Sequence, residues 1–178
     1  DEWVRDVLEV KYTLGLFDDP YVKDPERADK VVNNKEARKL SLQASRESIV
    51  LRKNENDLLP LDLNELNSVL VTGPMSERTN HSISRYGPSG IDVVSALEGI
   101  RNEAGDEISV EYAEGSPVVG ENWPLNEVIE PESPSGEVRD MIDEAVRKAR
   151  GKAAVLVFLG DTRNMVGESR SRTSLDLP

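Results

Sequence analysis

A helix-patterned segment that runs directly into an unbroken apolar stretch restricts this chain more than any other feature. Val138, Met141, Ile142, Ala145, Val146 and Ala149 recur at i, i+3, i+4, i+7, i+8 and i+11, which is one face of an α-helix. Arg147, Lys148 and Arg150 put positive charge at its C-terminal end, where the helix dipole is negative, and Gly151 follows. Ala153 to Leu159 is then apolar without a break, which predicts a central strand buried on both faces. Such a strand needs helices to cover it, so the chain is committed to α/β layers.

The same alternation extends upstream. Ser68-Val69-Leu70-Val71-Thr72 reads as a short buried strand closed by Gly73-Pro74. Val93, Val94, Leu97 and Ile100 predict a helix ended by Gly99 and the polar stretch after it, and Ile108 to Tyr112 alternates as a strand. From residue 66 the order is strand, helix, strand, helix, strand. Right-handed crossovers make this a mainly parallel sheet in a three-layer α/β sandwich.

Further upstream, residues 35–48 read as a helix with small and apolar positions at Ala37, Leu40, Ala44 and Ser48, and Ser48 to Leu51 has strand character. Residues 16–34 read as a linker with Pro20, Pro25 and Asn33-Asn34. In residues 1–15, Trp3, Val7, Val10 and Leu14 form an apolar helical stripe, with Val4 and Leu8 beside it and Gly15 as the stop. No other segment offers that stripe an obvious partner. The chain opens on Asp1 without an initiator Met and closes on Pro178 just after a polar loop, so an internal piece of a longer protein is expected.

Composition removes whole classes of chemistry. With no Cys there are no disulfides, thiol nucleophiles or thiolate metal sites, and a single His leaves no histidine-rich metal centre. A formal net charge of -12 argues against nucleic-acid partners and against anionic membrane surfaces. From Asn102 to Val138 there are ten carboxylates and no Lys or Arg, which reads as a long, solvated acidic excursion.

In parallel sheets, ligands meet the loops at the carboxyl ends of strands. Two loops stand out: Gly73-Pro74 onward, including Arg85-Tyr86-Gly87-Pro88, and Gly160 to Pro178, including Gly167 to Arg172. Neither carries a dinucleotide or P-loop glycine pattern. Glu168 is the only carboxylate between Thr162 and Leu175 and shares that stretch with Arg163, Arg170 and Arg172. It is a candidate general acid/base, against the ordinary reading of a surface Glu paired with Arg. Arginines would lower its pKa and burial would raise it. His81 has no nucleophile elbow to go with it and reads as an ordinary loop histidine.

Taken in order, several segments resemble glycoside hydrolase family 3. Leu8 to Tyr21 (LEVKYTLGLFDDPY) is similar to the family's junction between its (β/α)8 barrel and the linker. Glu47 to Asn54 with Leu58-Leu59-Pro60-Leu61 resembles the entry to its second, α/β sandwich domain. Val71 to Pro74 and Ile91 to Ile100 continue the match, and Gly167 to Pro178 (GESRSRTSLDLP) is similar to the sandwich domain's active-site loop.

The resemblance implies residues 1–15 as the C-terminal helix of a missing barrel domain, 16–34 as the interdomain linker, and 35–178 as the sandwich domain truncated at its C-terminal end. It implies part of a retaining β-glycosidase acting on terminal β-D-glucosyl residues of β-glucosides and oligosaccharides. No cofactor or metal is expected. The partners would be a β-linked substrate and the parent's own barrel, and the compartment periplasmic or secreted. Glu168 matches the acid/base position, and Lys53, Arg163 and Arg172 are candidate sugar contacts. The family's nucleophile Asp would lie upstream of Asp1, so the isolated chain is expected to be inactive. Two alternatives stay open: a β-xylosidase of the same family, and a non-catalytic carbohydrate- or protein-binding α/β domain.

Overall fold

The computed structural model describes residues 1–80, 83, 85–87, 92–118, 133–165, 167–169 and 175. The chain divides into two compact units, Asp1–Asp57 and Leu58–Pro178. The first unit holds helices α1 (Glu2–Thr13), α2 (Arg27–Val31) and α3 (Lys35–Ser48). Gly15, at φ +70°, closes α1 in a Schellman turn. Its N–H donates to the Tyr12 carbonyl at 2.9 Å, and that of Leu16 to the Lys11 carbonyl at 3.0 Å. Asn34 caps α3 by accepting the Ala37 N–H at 2.8 Å.

Local signals account for these boundaries, and α3 spans the predicted residues. The expected linker differs in carrying the short α2. The expected strand at Ser48–Leu51 does not form: α3 runs through Ser48, and Ile49–Leu51 join no ladder among the described residues. Apolar, β-branched composition favours a strand only where a neighbouring strand supplies cross-strand contacts.

The second unit is built on β1 (Ser68–Thr72), β2 (Ser109–Ala113) and β3 (Ala154–Val157), all parallel, in the order β2-β1-β3. Helix α4 (Ala96–Ala104) packs on β2, and α5 (Gly136–Ala149) packs on β1 and β2. With β2 on one side of β1 and β3 on the other, right-handed crossovers place α4 and α5 on opposite faces. The result is the expected α/β sandwich with a parallel sheet between helices. Ser95 caps α4 through the Glu98 N–H at 3.1 Å, and Ser135 caps α5 through the Val138 N–H at 3.4 Å.

Two features depart from the sequence pattern. Helix α4 begins at Ala96, after Val93 and Val94, and passes through Gly99 to Ala104. A glycine inside a helix costs roughly 1 kcal/mol, which packing of the buried Leu97 offsets here. The central strand is β1, where Val69, Leu70 and Val71 are all buried, whereas β3 alternates half-buried and exposed residues and pairs only with β1 among the described residues. An apolar run reports what a strand can bury and says nothing of how many neighbours it has.

Leu70 is fully buried and Val157 is 56% exposed. We therefore expect Leu70→Ala to cost about 2–5 kcal/mol. Val157→Ala should cost about 0.5 kcal/mol or less. Urea unfolding of the two variants at unchanged m-value checks this; equal losses would return β3 to the centre of the core.

Candidate functional site

A sheet in which the second strand lies on one side of the first and the third on the other has its crevice at the carboxyl ends of the first and third strands. Gly73, directly after β1, fills that corner. A Cβ on it would stand 2.2 Å from the Phe158 carbonyl oxygen, and its φ is +105°. Phe158 donates its N–H to the Thr72 carbonyl at 2.8 Å and accepts the Met75 N–H at 3.3 Å. On the other side the Gly73 N–H donates to the Glu114 carbonyl at 3.1 Å. The ends of β1, β2 and β3 are thus tied through Thr72, Gly73 and Met75.

Two buried hydroxyl residues hold the loops that leave this corner. Ser76 is fully buried and donates through Oγ to the Thr72 carbonyl at 2.8 Å, while its own carbonyl accepts the Leu97 N–H at 2.9 Å. The β1 loop is thereby hooked to the first turn of α4. After β3, the Thr162 carbonyl accepts the Met165 N–H at 3.0 Å, and both residues are buried. That turn delivers the chain to Gly167, Glu168 and Ser169.

Glu168 sits between two residues of positive φ, Gly167 at +101° and Ser169 at +61°. Its N–H donates to Tyr86 Oη at 2.8 Å, and its carbonyl accepts Arg85 Nη1 at 3.1 Å. Both partners lie on the β1 loop. A Cβ on Gly167 would come within 3.3 Å of Arg85 Cδ and of Tyr86 Oη, so the two loops are in close contact there. The Glu168 residue itself is exposed. The arrangement therefore presents a carboxyl group to solvent from a backbone held on both sides.

Of the residues singled out in the sequence, Glu168 and Arg163 lie on the loop that follows β3, and Arg163 is also exposed. Lys53 belongs to the first unit, where it is ion-paired with Glu55 at 3.0 Å. Arg172 and His81 lie outside the described residues, as does most of the later part of the acidic excursion, residues 119–132. Its earlier part is not simply solvated. Glu111 is paired with Lys152, and Glu114 with Arg78 at 3.1 Å. Sequence reasoning marked Arg85-Tyr86 as part of a strand-end loop and missed what the pair holds. The two bonds join positions 82 and 83 residues apart, and no local pattern encodes them.

Beside this corner, at the end of β2, Tyr112 is partly withdrawn from water, and its phenol titrates above the usual value. Burial is the main cause; the carboxylates of Glu77 and Glu114 add to it, and Arg78 opposes it.

The sequence matches the glycosyl hydrolase family 3 C-terminal domain over residues 49–178. It is 33% identical over 192 residues to a periplasmic beta-glucosidase of Salmonella typhimurium, covering 100% of this chain and 24% of that protein. A beta-xylosidase of Formosa agariphila is 30% identical over 184 residues, 99% of this chain and 23% of that protein. The chain thus spans about a quarter of these relatives' length. In three dimensions it is similar to a beta-glucosidase involved in saponin metabolism from intestinal bacteria. The TM-score is 0.75 and the identity 27%, over 96% of this chain and 25% of that one.

The raised Tyr112 pKa has a definite sign. The folded state keeps the phenol protonated at a pH where the unfolded chain has begun to lose its proton. Its contribution to stability is complete below about pH 10 and falls as pH rises through the folded value. Tyr112→Phe should flatten the alkaline loss of stability, measured as unfolding midpoint between neutral pH and pH 11 or so; an unchanged alkaline limb would rule the group out.

Proposed function

The chain belongs to glycoside hydrolase family 3, and on that footing we propose that it supplies the acid/base loop of a retaining β-glycosidase acting on terminal β-D-glucosyl residues. The observation that carries this reading is the place of Glu168. It is a carboxylate on the loop after β3, at the carboxyl edge of the sheet, exposed, with its backbone held by Tyr86 and Arg85. In the proposed reaction Glu168 protonates the leaving glycosidic oxygen while a nucleophilic Asp attacks the anomeric carbon. It then removes the proton from the water that releases the glycosyl-enzyme. Retention needs the two carboxyl groups roughly 5–5.5 Å apart.

That Asp is proposed to come from a barrel domain of the parent protein, with residues 1–15 as the barrel's last helix, 16–34 as the linker and 35–178 as sandwich domain. The exposed apolar residues of α1, with Trp3 85% exposed, suit a helix that packs against such a domain. Arg163, Arg172 and Lys53 are the proposed contacts to sugar hydroxyls. A periplasmic or secreted location is proposed on the strength of the Salmonella relative's name. A β-xylosidase is the second reading, favoured by the Formosa relative, and parallel assays on glucoside and xyloside substrates separate the two.

In the full-length parent, Glu168→Ala should lower turnover of unactivated disaccharides by about 10²–10⁴-fold. A dinitrophenyl glucoside needs little protonation to leave, so its glycosylation step should be spared and the covalent intermediate should accumulate. Azide, a nucleophile that needs no deprotonation, should restore turnover and yield the β-glycosyl azide. Equal loss on both substrates without azide rescue would assign Glu168 a structural role. Nucleophile and acid/base act as a unit. The 178-residue chain alone should accordingly release no nitrophenol from a nitrophenyl β-glucoside above buffer background, and measurable turnover would sink the two-domain reading.

A further inference from the structure

A proton donor is useful only where its oxygen reaches the leaving atom. Held geometry within about 0.5 Å is the working requirement for such groups. Glu168 does not meet it through regular secondary structure. It lies in neither helix nor strand, and the residues on each side of it take positive φ. An exposed loop peptide of this kind would ordinarily be hydrated by water on both its N–H and its carbonyl. Here both groups are taken by side chains from a different loop: the N–H by Tyr86 Oη at 2.8 Å and the carbonyl by Arg85 Nη1 at 3.1 Å. The two bonds act on the same residue from adjacent positions of one segment. They restrain Glu168 against translation and against rotation about the chain. Gly167 suits the approach: a Cβ there would stand 3.3 Å from atoms of both partners, which would have to give by a few tenths of an ångström, and its φ of +101° disfavours a side chain.

We propose that Arg85 and Tyr86 are positioning residues that hold the backbone of Glu168 for proton transfer. The proposal rests on the acid/base reading of Glu168 given above. Neither residue is assigned a contact with substrate, and both act through the Glu168 peptide groups. Loss of either bond leaves the carboxyl group present and misplaced. Steps that need the proton should therefore suffer, whereas sugar binding and departure of a good leaving group should not.

The test uses the full-length parent enzyme with Tyr86→Phe, Arg85→Met, Arg85→Lys and Glu168→Gln, assayed on cellobiose and on dinitrophenyl β-glucoside. Tyr86→Phe keeps the ring and removes the hydroxyl that accepts the Glu168 N–H. A displacement of about 1 Å can cost as much as 10²-fold, and one of two anchors remains, so kcat on cellobiose should fall about tenfold with KM nearly unchanged. The dinitrophenyl substrate should be nearly unaffected in its first step. Arg85→Met should behave likewise, and Arg85→Lys, which keeps a donor, should recover most of the loss. Thermal unfolding midpoints within a few degrees of the parent's would accompany this pattern. If Glu168→Gln shows the leaving-group and azide signature while Tyr86→Phe and Arg85→Met match the parent, the positioning role is overturned and the acid/base reading stands. Equal loss on both substrates by the two anchor variants has the same meaning. If Glu168→Gln itself loses equally on both substrates without azide rescue, both are overturned.

Discussion

The carboxyl edge of the sheet depends on the missing side chain of Gly73. Strand β1 is hydrogen-bonded on both sides, and immediately beyond it the chain must let the end of β3 pass within a distance no Cβ tolerates, 2.2 Å from where one would stand. Because Gly73 allows this, Phe158 can exchange backbone bonds with Thr72 and Met75 while Glu114 binds the Gly73 N–H. The three strands therefore end together. Loops that leave after β1 and β3 then have no choice but to share the space above that corner, and Arg85, Tyr86 and Glu168 meet there.

Strength does not explain why that meeting matters. Hydrogen bonds contribute about 0.5–1.5 kcal/mol each, and these lie among exposed residues. Ser169 at φ +61° works against the loop, since a non-glycine residue in that region costs on the order of 1–3 kcal/mol. Such a conformation persists where surrounding contacts over-determine it. The buried turn at Thr162 and Met165 on one side and the paired anchors on Glu168 supply that determination. Rigid entry and two directed bonds can place a carboxyl group that neither could place alone. In the reaction proposed for Glu168 the group so placed would have to meet a nucleophilic carboxylate, where small errors of position are costly.

The acidic stretch after α4 illustrates how context changes the meaning of charge. Read as composition it is a solvated excursion, yet Glu111 and Glu114 are taken up by Lys152 and Arg78 from neighbouring segments, and Lys148 donates to the Tyr112 carbonyl. Lys148 in the last turn of α5 and Lys152 just beyond the helix thus bind to β2. Their partners lie 36 and 41 residues away along the chain.

Local rules were enough for much of the fold. Asn34, Ser95, Ser135 and Gly15 mark helix ends through bonds to residues three to five positions away, and α3 and β1 span the residues their patterns predict. The strand order along the chain likewise implied a parallel sheet between helices, and its carboxyl edge singled out Glu168. Where the pattern failed, the deciding partner was distant. Among the described residues Ile49–Leu51 join no ladder, Gly99 is carried inside α4 by packing around Leu97, and β3, within the apolar run Ala153–Leu159, flanks β1, the central of the three strands. The hold of Arg85 and Tyr86 on Glu168 belongs to the same class. Periodicity and capping are written in neighbouring residues, so the sequence by itself determined the elements and their order. Pairing across more than 80 positions depends on how folding closes the intervening chain, and only the tertiary structure decided it.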